Sequence, residues 1–208
     1  MSSTQCGLPE VEAAQRPDEQ RCVVYSFGWR GDDLFERRVL QLAPGCEVHI
    51  FDRSAPVRPA PRGGSGPYAR TARYHCRYLT ADNASSLSTY MRQLGHDYLD
   101  VLKVDIEGTE WDVFPGIDWP RARIGQIQVE IHPARPRSTV GHVDALFATL
   151  EAAGYRVISI EPVGFPPSDA GSQPVEAVFL HRAWTPWGFA RSGRAASGKL
   201  APPHSPYF

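Results

Sequence analysis

No apolar run in this 208-residue chain approaches the roughly 20 residues that a bilayer-crossing helix needs, so a membrane-spanning helix is not expected. The first twenty residues are polar and lack the apolar core of a secretory signal. A cytoplasmic setting is therefore the simplest expectation. Net charge is almost absent, at -1. Nucleic-acid binders carry a basic excess or stripe, so a polyelectrolyte partner is not expected. Cysteine is scarce and scattered: Cys6, Cys22, Cys46 and Cys76 are far apart, and three fall in expected strands, where a reduced thiol packs as a small apolar group. That usage suits a reducing compartment. The seven histidines make no metal-ligand spacing with these cysteines, and a structural zinc site is not expected.

What is present is a regular alternation of strand and helix, with 42% hydrophobic residues, enough for one sizeable core. Arg21 to Phe27 reads as a strand. After Gly28 to Asp33 a helix follows with Phe35, Val39 and Leu42 on one face, closed by Ala43-Pro44-Gly45. Cys46 to Phe51 is the second strand. The third, Thr71 to Leu79, alternates Tyr74, Cys76 and Tyr78 against Arg73, His75 and Arg77, the period of a strand with one wet face. Leu87, Tyr90, Met91 and Leu94 make a helical stripe, with Ser85 or Ser86 as the N-cap and Gly95 as the C′ glycine. Asp100 to Asp105 reads as a buried strand and Thr109 to Phe114 as a short helix. Ile124 to His132 is a further strand, Val143, Leu146, Phe147 and Leu150 mark the last helix, and Tyr155 to Ile160 and Val175 to His181 close the pattern. The segment joining these last two strands is too short for a crossover helix, so the pair is expected to be antiparallel. The fold class is α/β: one doubly wound, mostly parallel sheet over residues 21–183, with the last strand antiparallel.

Outside that unit lie a polar extension, 1–20, and a Pro/Gly/Ser-rich tail, 184–208, which is expected to be mobile apart from local packing of Trp184, Trp187 and Phe189. Between Arg53 and Arg73 there are five arginines and no acid, amid many prolines and glycines. This stretch reads as a solvated loop, with a lid over an anionic substrate as the alternative. Asn83-Ala84-Ser85 matches a glycosylation acceptor by chance.

The chemistry concentrates in Asp100-Val101-Leu102-Lys103-Val104-Asp105-Ile106-Glu107-Gly108-Thr109-Glu110-Trp111, a buried strand ending in three spaced carboxylates. In an open α/β sheet the carboxyl ends of the strands face the ligand crevice, so Asp105, Glu107 and Glu110 are placed to crowd a site. The plainer reading of Glu107 and Glu110 is that acids suit the positive end of a short helix. At the first crossover, Gly28 directly follows a buried strand, where backbone can approach a ligand without a Cβ. Asp52 ends the second strand, the position from which a carboxylate accepts both ribose hydroxyls of a nucleotide-type cofactor. Gly28-x-x-Gly31 does not fit G-x-G-x-x-G, because Arg30 stands at the second glycine position; this disfavours NAD and FAD.

Taken with the element order, the segments Val24-Tyr25-Ser26-Phe27-Gly28, Gly45-Cys46-Glu47-Val48-His49-Ile50-Phe51-Asp52, Leu94-Gly95-His96, Asp100 to Trp111 and Glu130-Ile131-His132 make the chain resemble S-adenosylmethionine-dependent methyltransferases of the FkbM and methyltransferase-like type. The block around Asp105 is the specific part. The resemblance implies a Rossmann-like sheet of seven strands and S-adenosylmethionine as cofactor. It further implies that Phe27 and Gly28 lie against the methionine part, that Asp52 holds the ribose, that Asp82 meets the adenine amino group, and that Asp105 sits where donor and acceptor meet. For a hydroxyl acceptor the proton needs a base, and Asp105, Glu107, Glu130 and His132 are the candidates. Asp105 and its neighbouring glutamates could alternatively hold Mg²⁺. The acceptor is open: a small molecule such as a polyketide, a glycan hydroxyl, a lipid or a protein side chain. Two other functions share the pattern. A nucleotide-binding oxidoreductase would bind NADH in place of S-adenosylmethionine, and a non-catalytic binding module would bind without turnover.

Overall fold

The computed structural model describes residues 22–54, 72–132, 140–164, 173–185 and 188–189. Seven strands form one sheet in the order β3-β2-β1-β4-β5-β7-β6. In chain order they are β1 (Val23–Phe27), β2 (Glu47–Phe51), β3 (Ala72–His75), β4 (Leu99–Val104), β5 (Ile124–Ile131), β6 (Tyr155–Pro162) and β7 (Val175–His181). The first five are parallel, and β7 inserts antiparallel between β5 and β6. That is the doubly wound architecture expected, with the antiparallel member where the short final connection requires it.

The helices α1 (Leu34–Leu42), α2 (Leu87–Leu94), α3 (Glu110–Val113, continued by a 3₁₀ turn over Phe114–Gly116) and α4 (Val140–Ala152) flank the sheet. All five residues of β1 are buried, as a central strand covered on both faces must be. One face carries an aromatic layer in which Phe27 of β1 stacks on Phe51 of β2 with ring centroids 4.5 Å apart, and Tyr90 of α2 lies 5.0 Å from Phe51. Helix α2 is set by its ends. Ser86 Oγ accepts from Thr89 N at 3.3 Å, and Gly95, at φ +76°, lets His96 N reach back to Met91 O at 2.8 Å.

Three local expectations need correction. Strand β3 is short, four residues in place of nine, because Arg77 N turns back to His75 O and, among the described residues, β3 is the edge of the sheet. On α1 the fully buried side chains are Glu36, Val39 and Leu40; Phe35 and Leu42 are only partly covered. Glu36 is tolerated inside because the Ser26 hydroxyl donates to it from the strand beneath; burial nevertheless pushes its carboxyl up. The third concerns thiols. Cys22 and Cys46, at the starts of neighbouring strands with Cα atoms 4.4 Å apart, are joined in a disulfide, and only Cys76 is free and exposed among the described cysteines. The expectation of reduced core thiols fails here, and such bonds belong to oxidising settings.

Removing that bond with a Cys22→Ser, Cys46→Ser pair is expected to cost about 3.5 kcal/mol, the chain-entropy value for its 24-residue span. Urea unfolding with and without reductant measures this; identical midpoints would remove the structural role of the bond.

No helix among the described residues is long and apolar enough to cross a membrane. The arginine-rich stretch falls on residues 55–71, and most of the tail on residues 190–208; both lie outside the described residues, as does the N-terminal extension. Trp184–Thr185 and Gly188–Phe189 form a two-strand ladder, β8 and β9. Trp184 packs over Gly125, where any Cβ would fall 2.4 Å from the indole, and donates to the buried Asp100 at 3.2 Å.

Candidate active site

The carboxyl ends of β1, β4 and β5 lie side by side, because those strands are neighbours in the middle of the sheet. Gly28 leaves β1 at φ +92°, and a Cβ there would sit 1.7 Å from the carbonyl oxygen of Asp105. A glycine is therefore demanded by the protein's own backbone: the end of β4 presses against the β1 turn, and Asp105 N donates to Phe27 O at 3.0 Å. Sequence reasoning assigned that close approach to a ligand; the structure gives it to Asp105. Phe27 itself is buried in the aromatic layer.

Asp105 carries a buried polar atom without a partner. Its Oδ1 is buried without a hydrogen bond, and its Oδ2 lies 3.8 Å from Lys103 Nζ. Burial pushes this carboxyl up, with Glu130 and Glu107 reinforcing the effect and Lys103 and His132 opposing it. Lys103, in turn, reaches Gly28 O at 3.4 Å.

Glu107 and Arg30 are the two non-glycine residues with positive φ among the described residues, at +58° and +47°, and they form an ion pair across the crevice. Two unfavourable backbone conformations held together by one pair mark a site where surrounding structure dictates geometry. Arg30 thus braces the loop as well as interrupting the glycine pattern. Its backbone N donates to Asp52 Oδ2 at 3.1 Å.

His132, just past β5, meets three carboxylates. Its Nδ1 is 3.1 Å from Glu110 Oε1, and its Nε2 is 3.3 Å from Glu130 and 3.6 Å from Glu107. Hydrogen bonds to Glu110 first, then Glu130, push its pKa up to about 10, so the ring is an imidazolium at neutral pH. Glu110 is fully buried and does more than open a helix. It accepts from Gly108 N at 2.8 Å and from His132 N at 2.9 Å, while Trp111 Nε1 donates to His132 O at 3.2 Å. The start of α3 is clamped onto the end of β5 from both sides. The sequence places Glu110 at the crevice or at the opening of a short helix; nothing in its spacing shows that the side chain folds back toward β5.

Asp52, at the carboxyl end of β2, is surrounded by donors. Ser54 Oγ and Ser54 N reach Oδ1 at 2.6 and 2.7 Å. Burial opposes its charge, but those bonds, with the backbones of Arg30 and Trp29, outweigh it and hold the carboxyl below its ordinary range. Asp82 is exposed and closes a turn, accepting from Thr80 Oγ1 at 2.5 Å and from Ala84 N and Ser85 N at 2.9 Å each. Of the expected residues, Phe27, Gly28, Asp105, Glu107, Glu130 and His132 are brought together around three strand ends, Asp52 joins them through Arg30, and Asp82 belongs to the turn before α2. Asp105, Glu107 and His132 also present ligand atoms within 4.8 Å of one another, a group able to hold a metal ion once the proton on His132 is lost.

A family model described as a methyltransferase domain matches residues 11–168. The chain belongs to this family. It is 33% identical over 127 residues to "Probable methyltransferase-like protein 24" of Rattus norvegicus, covering 54% of this chain and 33% of that protein. The Homo sapiens protein of the same name is 30% identical over 144 residues, covering 61% and 37%. The chain spans about a third of the length of these relatives. Among solved structures, a putative S-adenosylmethionine dependent methyltransferase from Listeria monocytogenes aligns over 85% of this chain and 98% of its own, at 11% identity and a TM-score of 0.47.

Proposed function

We propose that this domain is an S-adenosylmethionine-dependent methyltransferase that methylates a hydroxyl oxygen of a small-molecule or glycan-type acceptor, as its FkbM-type resemblance implies. The observation that carries the reading is Asp105: a buried carboxylate oxygen without a hydrogen bond, at the end of the central strand, in a chain of a methyltransferase family. The residues fit the cofactor. Asp105 Oδ1 is an acceptor lacking a donor, and S-adenosylmethionine carries cationic groups that can supply one. Phe27 and Gly28 would border its methionine part, Asp52 would take the ribose hydroxyls by exchanging some of its present donors, and Asp82 would meet the adenine amino group.

When bound, S-adenosylmethionine supplies a methyl group already activated by its positive sulfur. The chain's part is alignment, which contributes roughly 7–11 kcal/mol when reacting groups are well oriented, and disposal of the hydroxyl proton. Asp105 is the best placed of the four candidate bases, because burial raises its proton affinity and an oxygen is unengaged. His132 is already protonated; it balances the surrounding carboxylates and leaves the accepting role to them. Glu107 and Glu130 border the same space through His132.

Calorimetric titration with S-adenosylmethionine, S-adenosylhomocysteine and NADH tests the reading: the first two are expected to bind and NADH is not. NADH binding alone would favour an oxidoreductase. Cofactor binding with no turnover on a broad panel of hydroxyl acceptors would favour a binding module. Within this reading, Asp52→Ala is expected to weaken S-adenosylmethionine by about 1.5–3 kcal/mol, the range for hydrogen bonds to a charged group, while the melting temperature stays close to that of the parent. Unchanged affinity in that variant removes Asp52 from the ribose.

A further inference from the structure

We propose that Glu47, His49 and His96 form a second site, at the amino end of the sheet and away from the active-site crevice, that binds a zinc-type divalent cation. The three side chains come from two elements, β2 and the end of α2. Glu47 opens β2, His49 lies two residues on along the same face, and His96 follows the glycine-capped end of α2. Their ligand atoms all lie within 4.8 Å of one another. Glu47 Oε1 is 2.9 Å from His49 Nε2 and 3.9 Å from His96 Nε2, values that bracket the roughly 3.3 Å edge of a tetrahedron built on zinc–nitrogen and zinc–oxygen bonds of about 2.0–2.1 Å.

Two imidazoles and one carboxylate, with a fourth position left to water, are a donor set suited to zinc. More telling is what lies behind each ring. Metal-bound histidines are held by a partner on the other nitrogen, which fixes ring orientation and tautomer. Here His49 Nδ1 is 2.9 Å from His75 Nε2, and His96 Nδ1 is 2.7 Å from Tyr25 Oη. With both protons on Nδ1, donated to His75 and Tyr25, both Nε2 lone pairs are left for Glu47's side of the cluster. His75 and Tyr25 thus hold the two histidine ligands from behind.

The electrostatics agree. His49 is fully buried, and burial, against the pull of Glu47, brings its pKa down to about 4; burial also lowers His75 and His96. In the empty site His49 Nε2–H donates to Glu47 Oε1 at 2.9 Å, and binding a cation moves that proton to Nδ1, where His75 accepts it. Arg73, whose side chain is 60% exposed, presently neutralises Glu47 at 2.7 Å and can swing into solvent when an ion takes over that role. No spacing along the sequence announces the site, since its ligands meet only when β2 and the end of α2 come together.

The test uses the full chain and Co²⁺ as a spectroscopic stand-in for Zn²⁺. One Co²⁺ per chain with a tetrahedral visible spectrum, displaced by Zn²⁺, is expected. His96→Gln and Glu47→Gln should each weaken binding about a hundredfold or more, Tyr25→Phe by about 10–100-fold through the loss of its hold on His96, and His132→Gln not at all. His96 and Glu47 are both partly exposed, so these variants keep the test open if changes at the buried His49 prevent folding. Equal affinity in the parent and His96→Gln, a thiolate-to-cobalt band assigning the ion to Cys76, loss of binding in His132→Gln, or no stoichiometric binding would each overturn the site.

Discussion

Replacing Glu110 with alanine is expected to lower stability by about 3–5 kcal/mol in urea denaturation, the range for breaking a buried ion pair by removing one partner. The side chain is wholly buried and serves Gly108 N, His132 N and the His132 ring together. Its loss leaves the buried His132 amide and the part-buried Gly108 amide without their acceptor and takes from the imidazolium its partner on Nδ1, leaving Glu130 and Glu107 on the Nε2 side. The pH dependence carries the signature. His132 titrates near 10 in the folded chain against an ordinary value of 6.5, so its contribution is complete below about pH 6.5 and is lost as pH rises through about 10. The parent should therefore lose stability across that window, and Glu110→Ala should lose much less. Parallel pH profiles for the two proteins would show that the clamp does not set the charge of His132.

Glu110 also shows where reading residues in order stops. The alternation of elements, the caps of α2 and the antiparallel last strand followed from periodicity, glycine placement and loop length, which are local properties. Gly28 and Asp105 were legible as neighbours because topology alone brings the ends of β1 and β4 together. The reason for Gly28 was not, since only three dimensions reveal Asp105's carbonyl against it. Buried polar residues were the main loss. Glu36, Asp100 and Gln126 look like surface residues in a pattern, yet each is inside; Ser26 answers Glu36, and Val23 N answers Asp100 at 2.9 Å. Such compensation is invisible until the partner strand or helix is in place. The same holds for Cys22 and Cys46, whose pairing depends on β1 and β2 being parallel and in register from their first residues.

Asp105→Asn is expected to slow methyl transfer about 10²–10⁴-fold with little loss of fold. Asparagine keeps the shape of the side chain but neither accepts a proton nor carries charge. Stability should stay level or rise: Asp105 Oδ1 makes no hydrogen bond to lose, and burial makes its ionised form costly, so the penalty that grows as pH climbs above the ordinary carboxylate value disappears with the charge. Two measurements separate the roles open to this residue. If Asp105 takes the acceptor's proton, the rate falls while S-adenosylmethionine affinity holds, and the remaining activity loses the acid limb of its pH profile. If it only holds the cofactor, affinity falls and the rate at saturation recovers. Full activity in Asp105→Asn at every pH would exclude both, and with them the place given to this carboxylate at the centre of the site.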